Sequence, residues 1–165
     1  LRRARLLAAG TALAAAILAG STSTASAGVP QDEVVSVQNG DAAYGWASND
    51  YLQTHPGFLE AQAKSVGLEP QSHFGCNAQV CIDVQGTGLK VNQWNTTANA
   101  NVGCSQAKYV RNSNQVFESA PICPPNDNPG VYYYYTNPET TYPQNTKLCN
   151  AWTRITGYPC ATVHR

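Results

Sequence analysis

The chain has no excess of charge of either sign, a single apolar run, and none of the local motifs that mark the common enzyme classes. Ten basic side chains balance ten acidic ones and no basic stripe is present, so nucleic acid and anionic membranes are poor partners. The apolar run, residues 6–19, is shorter than the ~20 residues that span a bilayer, and no second long hydrophobic segment follows it. There is no C-x-x-C pair, which removes a thioredoxin-type redox centre, and the cysteine spacings do not suit zinc. His55, His73 and His164 are scattered and no H-E-x-x-H occurs, so they read as exposed polar residues. No G-x-S-x-G elbow is found. No cofactor and no metal are expected, and the chain reads as a non-enzyme.

What is present begins with a leader. Residues 1–27 hold Arg2, Arg3 and Arg5, then the short apolar run, then small residues ending Ala25-Ser26-Ala27. Basic region, apolar region and A-x-A site are the three parts of a secretory signal peptide. Cleavage after Ala27 leaves 138 of the 165 residues, and loss of the three arginines leaves seven basic against ten acidic groups, a net charge of −3. The expected location is extracellular, as one domain with no membrane span after signal removal.

All six cysteines, Cys76, Cys81, Cys104, Cys123, Cys149 and Cys160, lie after the leader. An even count behind a secretory signal implies disulfides, because the extracellular space is oxidising. Local strand patterns favour neighbour pairing: 76–81, 104–123 and 149–160. Residues 79–94, QVCIDVQGTGLKVNQW, alternate apolar and polar on both sides of Gly86-Thr87. A two-residue turn there sets Val84 against Leu89, Ile82 against Val91 and Asp83 against Lys90. A four-residue turn at residues 112–115 sets Val110 against Phe117 and brings Cys104 opposite Cys123. A turn near Thr156-Gly157 joins Cys149 to Cys160. Bridges closing loops of about 10–20 residues stabilise by roughly 3 kcal/mol each.

Residues 28–75 read as an amino-terminal arm, with a short helix near 56–67. Pro56 suits its first turn, Glu60 and Lys64 form an i,i+4 pair, Phe58, Leu59, Ala63 and Val66 supply its apolar side, and Gly67 suits its end. Residues 76–165 read as a disulfide-bonded β domain with seven strands, near 78–85, 88–94, 106–111, 115–120, 130–136, 147–154 and 159–164. Short strands with turn signals every 8–12 residues predict an all-β fold, a small antiparallel sandwich, with a small barrel as the alternative.

The candidate binding residues are aromatic. In GVYYYYTNP, residues 130–138, alternation sends Tyr132 and Tyr134 to one face and Tyr133 and Tyr135 to the other. If Val131 joins the core, Tyr133 and Tyr135 pack with it, leaving Tyr132 and Tyr134 for a ligand. The hairpin register also sets Trp94 on the polar face; the competing reading is core packing, with a bulge turning Trp94 inward. An aromatic face stacks on a sugar ring or a partner side chain and its polar tip adds a hydrogen bond. The expected function is a secreted, non-catalytic binding or interaction module, with cell-wall glycan or extracellular protein as partner. Two alternatives stay open. The Pro-rich loop 123–129 beside a bridge would suit a protease inhibitor, and Asp83, Glu118, Asp127 and Glu139 are the carboxylates from which a small hydrolase would draw a pair. Asn95-Thr96-Thr97 is a formal glycosylation sequon.

The alanine-rich leader ending ASA, the CNAQVCIDVQGTGLKV hairpin and the LCNAW…GYPC close resemble small secreted disulfide-containing proteins of actinobacteria that carry no established activity. The likeness spans the leader and most of the chain from Cys76 onward, and implies an extracellular disulfide-bonded β domain. It carries no site residue across, and residues 28–75 lie outside it.

Amino-terminal sequencing of the protein recovered from the medium of a secreting host is expected to begin at Gly28. A start within residues 1–20 would remove the signal-peptide reading.

Overall fold

The computed structural model describes residues 32–67 and 72–165. The expected signal segment, residues 1–27, lies outside them. In chain order the elements are β1 (Val34–Asn39), β2 (Ala42–Ser48), α1 (Asn49–Thr54), α2 (Phe58–Lys64), β3 (Ser72–Asn77), β4 (Val80–Thr87), β5 (Lys90–Ala100), β6 (Ala107–Arg111), β7 (Asn114–Glu118), β8 (Gly130–Thr136), β9 (Thr140–Thr141), β10 (Lys147–Trp152) and β11 (Cys160–Thr162). They form two antiparallel sheets. The larger runs β1-β2-β8-β5-β4-β3, with β9 also on β5; the smaller runs β11-β10-β6-β7. The fold is all-β and sandwich-like, and each of the seven expected strands has its counterpart.

The inner faces of the two sheets bury one cluster. Trp46, Val80, Ile82, Trp94, Tyr132 and Tyr134 from the larger sheet meet Ala107, Tyr109, Leu148, Trp152 and Ala161 from the smaller. Hydrogen bonds cross it in both directions. Trp94 Nε1 donates to Asn150 Oδ1 at 2.8 Å, and Trp152 Nε1 donates to Thr96 Oγ1 at 3.0 Å. The Thr96 hydroxyl donates onward to the Cys81 carbonyl at 2.8 Å. A second, smaller cluster lies on the outer face of the larger sheet, where Ala43, Tyr133 and Tyr135 pack with Val66, Phe58, Leu59 and Ala63.

The amino-terminal region corrects the sequence reading. Residues 34–48, expected in the arm, form the hairpin β1–β2, and β2 pairs with β8 along its whole length. The sequence AAYGWAS alternates small and aromatic residues, a weak strand signal that burial against β8 makes decisive. Gly45 is required there, because a Cβ at this position would lie 1.9 Å from the Val35 carbonyl oxygen. The expected helix is α2, with the Glu60–Lys64 ion pair at 2.7 Å and Gly67 beyond its end at φ +86°. A further short helix, α1, is capped by the Ser48 hydroxyl, which accepts from Tyr51 N.

The three disulfides join Cys76 to Cys81, Cys104 to Cys123 and Cys149 to Cys160. Hairpin registers differ from expectation for one recurring reason, the β-bulge. In β4–β5 the turn is Gly88-Leu89, with Gly88 at φ +59°. Gln85 then faces Gln93 and Gly86 faces Val91, leaving Asn92 as the extra residue. The extra residue reverses face parity, so Val91 and Trp94 both point inward. Gly86 is obligatory at this bulge, since a Cβ there would sit 2.0 Å from the Lys90 carbonyl oxygen. Asp83 therefore faces Asn95, and Lys90 pairs instead with Glu139 at 3.7 Å on the exposed surface.

In β6–β7 the turn is Asn112-Ser113, both at positive φ, which favours a tight two-residue hairpin. A bulge at Val116 follows and sets Tyr109 against Phe117. A further slip before the Ser105–Ile122 bridge restores the alignment of Cys104 with Cys123. The carboxy-terminal hairpin turns at Thr153-Arg154 rather than Thr156-Gly157, closed by the Trp152–Ile155 bridge. Among the described residues no helix is long and apolar enough to cross a membrane.

Asn150 is fully buried and serves two sheet contacts, accepting from Trp94 and donating to the Lys108 carbonyl at 3.3 Å. Asn150→Ala strands the buried Trp94 N–H and is expected to cost about 1–3 kcal/mol in denaturant unfolding. A loss within about 0.5 kcal/mol, the scatter of a neutral surface change, would refute the role given to this bond.

Candidate functional site

Strand β8 is interior to the larger sheet, between β2 and β5. Its two faces are both covered, one by the smaller sheet and the other by the helices. None of the four tyrosines therefore faces solvent, and the expected division of the run is corrected. Tyr132 and Tyr134 point into the core between the sheets, while Tyr133 and Tyr135 lie beneath the helices. Tyr132 is 0% exposed; its hydroxyl donates to the Gly103 carbonyl and its ring lies 5.7 Å from that of Trp152. It has no surface left for a ligand.

Tyr134 and Trp94 are also buried, at 8% and 3% exposure, yet they line one cavity. It has a volume of about 210 Å³ and is walled by Trp94, Tyr109, Phe117, Tyr134 and Tyr142, with Thr136 and Pro138. The rings enclose it at steep angles. Trp94 and Tyr109 meet edge-on at 4.9 Å and 73°, Trp94 and Tyr142 at 6.5 Å and 86°, and Tyr109 and Phe117 at 5.6 Å and 67°. Tyr44 backs the site by stacking on Tyr134 at 5.2 Å. Phe117, 43% exposed on β7, stands at the mouth with the half-buried Thr136 and Pro138.

Two donors at the floor are spent. Trp94 Nε1 is bound to Asn150, and the Tyr109 hydroxyl donates to the Tyr134 carbonyl at 3.1 Å. An occupant meets ring faces and edges. Burial pushes the Tyr109 phenol well above its usual value, with Tyr134 and Tyr135 adding to it. Tyr134 is raised by burial and then by Tyr44. Burial also raises Tyr142, against the opposing pull of the Arg111 charge and a hydrogen bond from Thr140. All stay protonated at neutral pH and act as hydrogen-bonding phenols.

Tyr109, Phe117 and Tyr142 were not among the sequence candidates. The signal for the first two lay in the β6–β7 hairpin, where a turn at Asn112-Ser113 with one bulge makes them direct partners. Tyr142 has no comparable local signature, because it reaches the cavity through the β9 connection.

The four carboxylates considered for hydrolysis do not assemble. Glu118 pairs with Lys108 at 3.5 Å on β7 of the smaller sheet, Glu139 pairs with Lys90, and Asp127 lies in the exposed loop. Asp83 lines a second cavity, of about 170 Å³, beneath α2, and Glu60 shares its lining. The Glu60 carboxylate is held at the surface by Lys64, whose hydrogen bond and charge lower its pKa. His73 and His164 line one open groove between β4–β5 and the chain end, and His55 stacks on Tyr51 at 4.0 Å. Among the described residues no group of three or more His, Cys, Asp and Glu is placed to hold a metal ion. Asn95 of the sequon is buried, so the folded protein does not present it for glycosylation.

The class defined by this geometry is a disulfide-bonded β-sandwich with an aromatic cavity between its sheets. Compared with family models, curated proteins and solved structures, the chain matches none.

The buried phenols give stability a definite pH dependence. Burial raises Tyr109 and holds Tyr133 up to about 12, against about 10 in the unfolded chain. The folded state thus retains protons that the unfolded state loses, so stability is complete below pH ~10 and falls as pH rises toward 12. Circular dichroism with tyrosinate absorbance is expected to show these phenols ionising together with unfolding. Their ionisation near pH 10 in a still-folded protein would contradict the burial.

Proposed function

We propose that this protein is a secreted, non-catalytic binding module that takes one ring of a cell-wall glycan into the aromatic cavity. The observation that carries the reading is the enclosure of about 210 Å³ by Trp94, Tyr109, Phe117, Tyr134 and Tyr142. A dry cavity of ~150 Å³ holds one benzene ring, so this volume suits a single six-membered ring rather than an extended ligand. A sugar offers an apolar C–H face to the aromatic walls and hydroxyls that bond to phenols such as those of Tyr134 and Tyr142. Secretion is supported by the three disulfides, which persist in oxidising compartments, and by the leader.

A second reading, inhibition of extracellular proteases, has one observation in its favour. The loop 123–129 leaves the Cys104–Cys123 bridge exposed and internally braced, with Asn128 N donating to Asn126 Oδ1 at 3.0 Å and Asn126 Nδ2 donating to the Asp32 carbonyl. It ranks second because a braced loop supplies rigidity without specifying any protease.

The test is affinity electrophoresis and calorimetry against cell-wall polysaccharides. Phe117→Ala and Tyr142→Ala are expected to weaken retention about 2- to 10-fold each, the range implied by about 0.5–1.5 kcal/mol per aromatic contact. Tyr132→Phe, outside the cavity, should leave it unchanged. No retention of the wild type on any glycan, or equal retention of all the variants, would sink the proposal. Inhibition of a secreted protease that is abolished by cutting loop 123–129 would favour the second reading.

A further inference from the structure

The aromatic cavity grades from a closed end to an open one, and its polar groups are unevenly committed along the way. Exposure orders the walls: Tyr109 and Trp94 are 2% and 3% exposed, Tyr142 and Tyr134 7% and 8%, and Phe117 43%. Tyr109 and Trp94 thus form the closed end. There both side-chain polar hydrogens are already bonded within the protein, Trp94 Nε1–H to Asn150 Oδ1 and the Tyr109 hydroxyl to the Tyr134 carbonyl. An indole nitrogen is a donor only, so Trp94 presents no acceptor either. No charged side chain is among the lining residues. Thr136 lies two residues beyond Tyr134 on the same face of β8 and is half-buried at the mouth, which gives the open end a hydroxyl.

A sugar ring entering this space must put one part of itself against Trp94 and Tyr109. An ordinary hexose carries an exocyclic hydroxymethyl arm, and a 6-deoxyhexose carries a methyl in the same place. In water the hydroxyl of that arm both donates and accepts hydrogen bonds. At the closed end it meets no free donor, and only the Tyr109 oxygen is left to accept from it. Its lost hydration is not replaced, which costs about 10- to 100-fold in affinity. A methyl gives up no hydrogen bond on the same transfer and gains dispersion contact with the rings.

We propose that the glycan taken by this cavity carries a 6-deoxyhexose, inserted with its exocyclic methyl against Trp94 and Tyr109. The ring hydroxyls diverge from that methyl and bond to the Tyr134 and Tyr142 phenols and the Thr136 hydroxyl. The closed end selects by having nothing to offer a hydroxyl, so the discrimination comes from spent donors rather than from a dedicated contact. This inference deepens the glycan reading and rests on it.

The experiment titrates the folded protein with matched pairs of methyl glycosides, each a hexoside and its 6-deoxy counterpart, in the gluco, galacto and manno series of both hands. Binding is read by calorimetry and by the NMR shift of the Trp94 indole N–H. In the series that binds, the 6-deoxy member is expected to bind about 10- to 100-fold more tightly and to move that signal. Phe117→Ala, at the open end, should weaken both members about 2- to 10-fold and leave their ratio unchanged. Thermal unfolding checks that the variant keeps its fold. Equal affinity within every pair, or preference for the hydroxylated member, would overturn this inference while leaving the glycan reading standing. A ratio abolished by Phe117→Ala would do the same, because it puts the discrimination at the mouth. Absence of binding by every pair also overturns it, and the glycan reading then stands or falls on retention by wall polysaccharides.

Discussion

The two sheets are joined by a reciprocal pair of tryptophan hydrogen bonds, and much of the structure depends on them. Trp94 reaches from the larger sheet to Asn150, and Trp152 reaches back to Thr96. Each indole buries a large apolar body, and an acceptor for its N–H removes the cost of burying that donor unpaired. Placing the acceptors on the facing sheet converts a nondirectional apolar contact into one with a defined separation and offset. Thr96 passes the constraint to β4 through the Cys81 carbonyl, and Asn150 passes it to β6 through the Lys108 carbonyl. The relative placement of both sheets is thus tied to groups that leave no slack.

The aromatic cavity is a consequence of that placement. Trp94 is held by its nitrogen and Tyr109 by its hydroxyl, so the two floor rings are locked edge-on and cannot collapse into the space beside them. The open side falls where β7 ends the smaller sheet and Phe117 has only part of its surface covered. Beneath α2 the logic is different. There the helix supplies apolar side chains to cover Tyr133 and Tyr135, while the neighbouring strands present Asp83 and Asn95 to the same space. One face of the larger sheet is therefore closed by rings, and the other by a helix over a polar floor.

Several features were legible from residue order alone. Cysteine neighbours pair because each lies in or beside a hairpin, and a hairpin brings sequence neighbours together whatever surrounds it. The Cys104–Cys123 match survived two errors of register because the slips at Val116 and before Ile122 compensate for the shorter turn. The β4–β5 hairpin shows the limit of such reasoning. Alternation identified the strands correctly, but one extra residue at Asn92 moved Trp94 to the opposite face and gave Asp83 a different partner. A bulge has almost no signature beyond a glycine such as Gly86, whose need becomes visible only once Lys90 is known to lie against it.

By itself, the sequence determined the seven strands from β4 onward other than β9, the disulfide partners and a helix near residues 56–67, all set by interactions within about twenty residues. It also identified Trp94 and Tyr134 as aromatics of interest, though for the wrong face. Only the tertiary structure decided that residues 34–48 complete the larger sheet, since β2 pairs with β8 across the whole intervening segment from α1 to β7. The same holds for the tyrosine run. Alternation divides GVYYYYTNP into two faces, but whether a face meets water, a second sheet or a helix depends on which layers stack on it. Layer order arises from contacts distant in sequence, and here it buried all four tyrosines and left Tyr134 alone of them in the aromatic cavity.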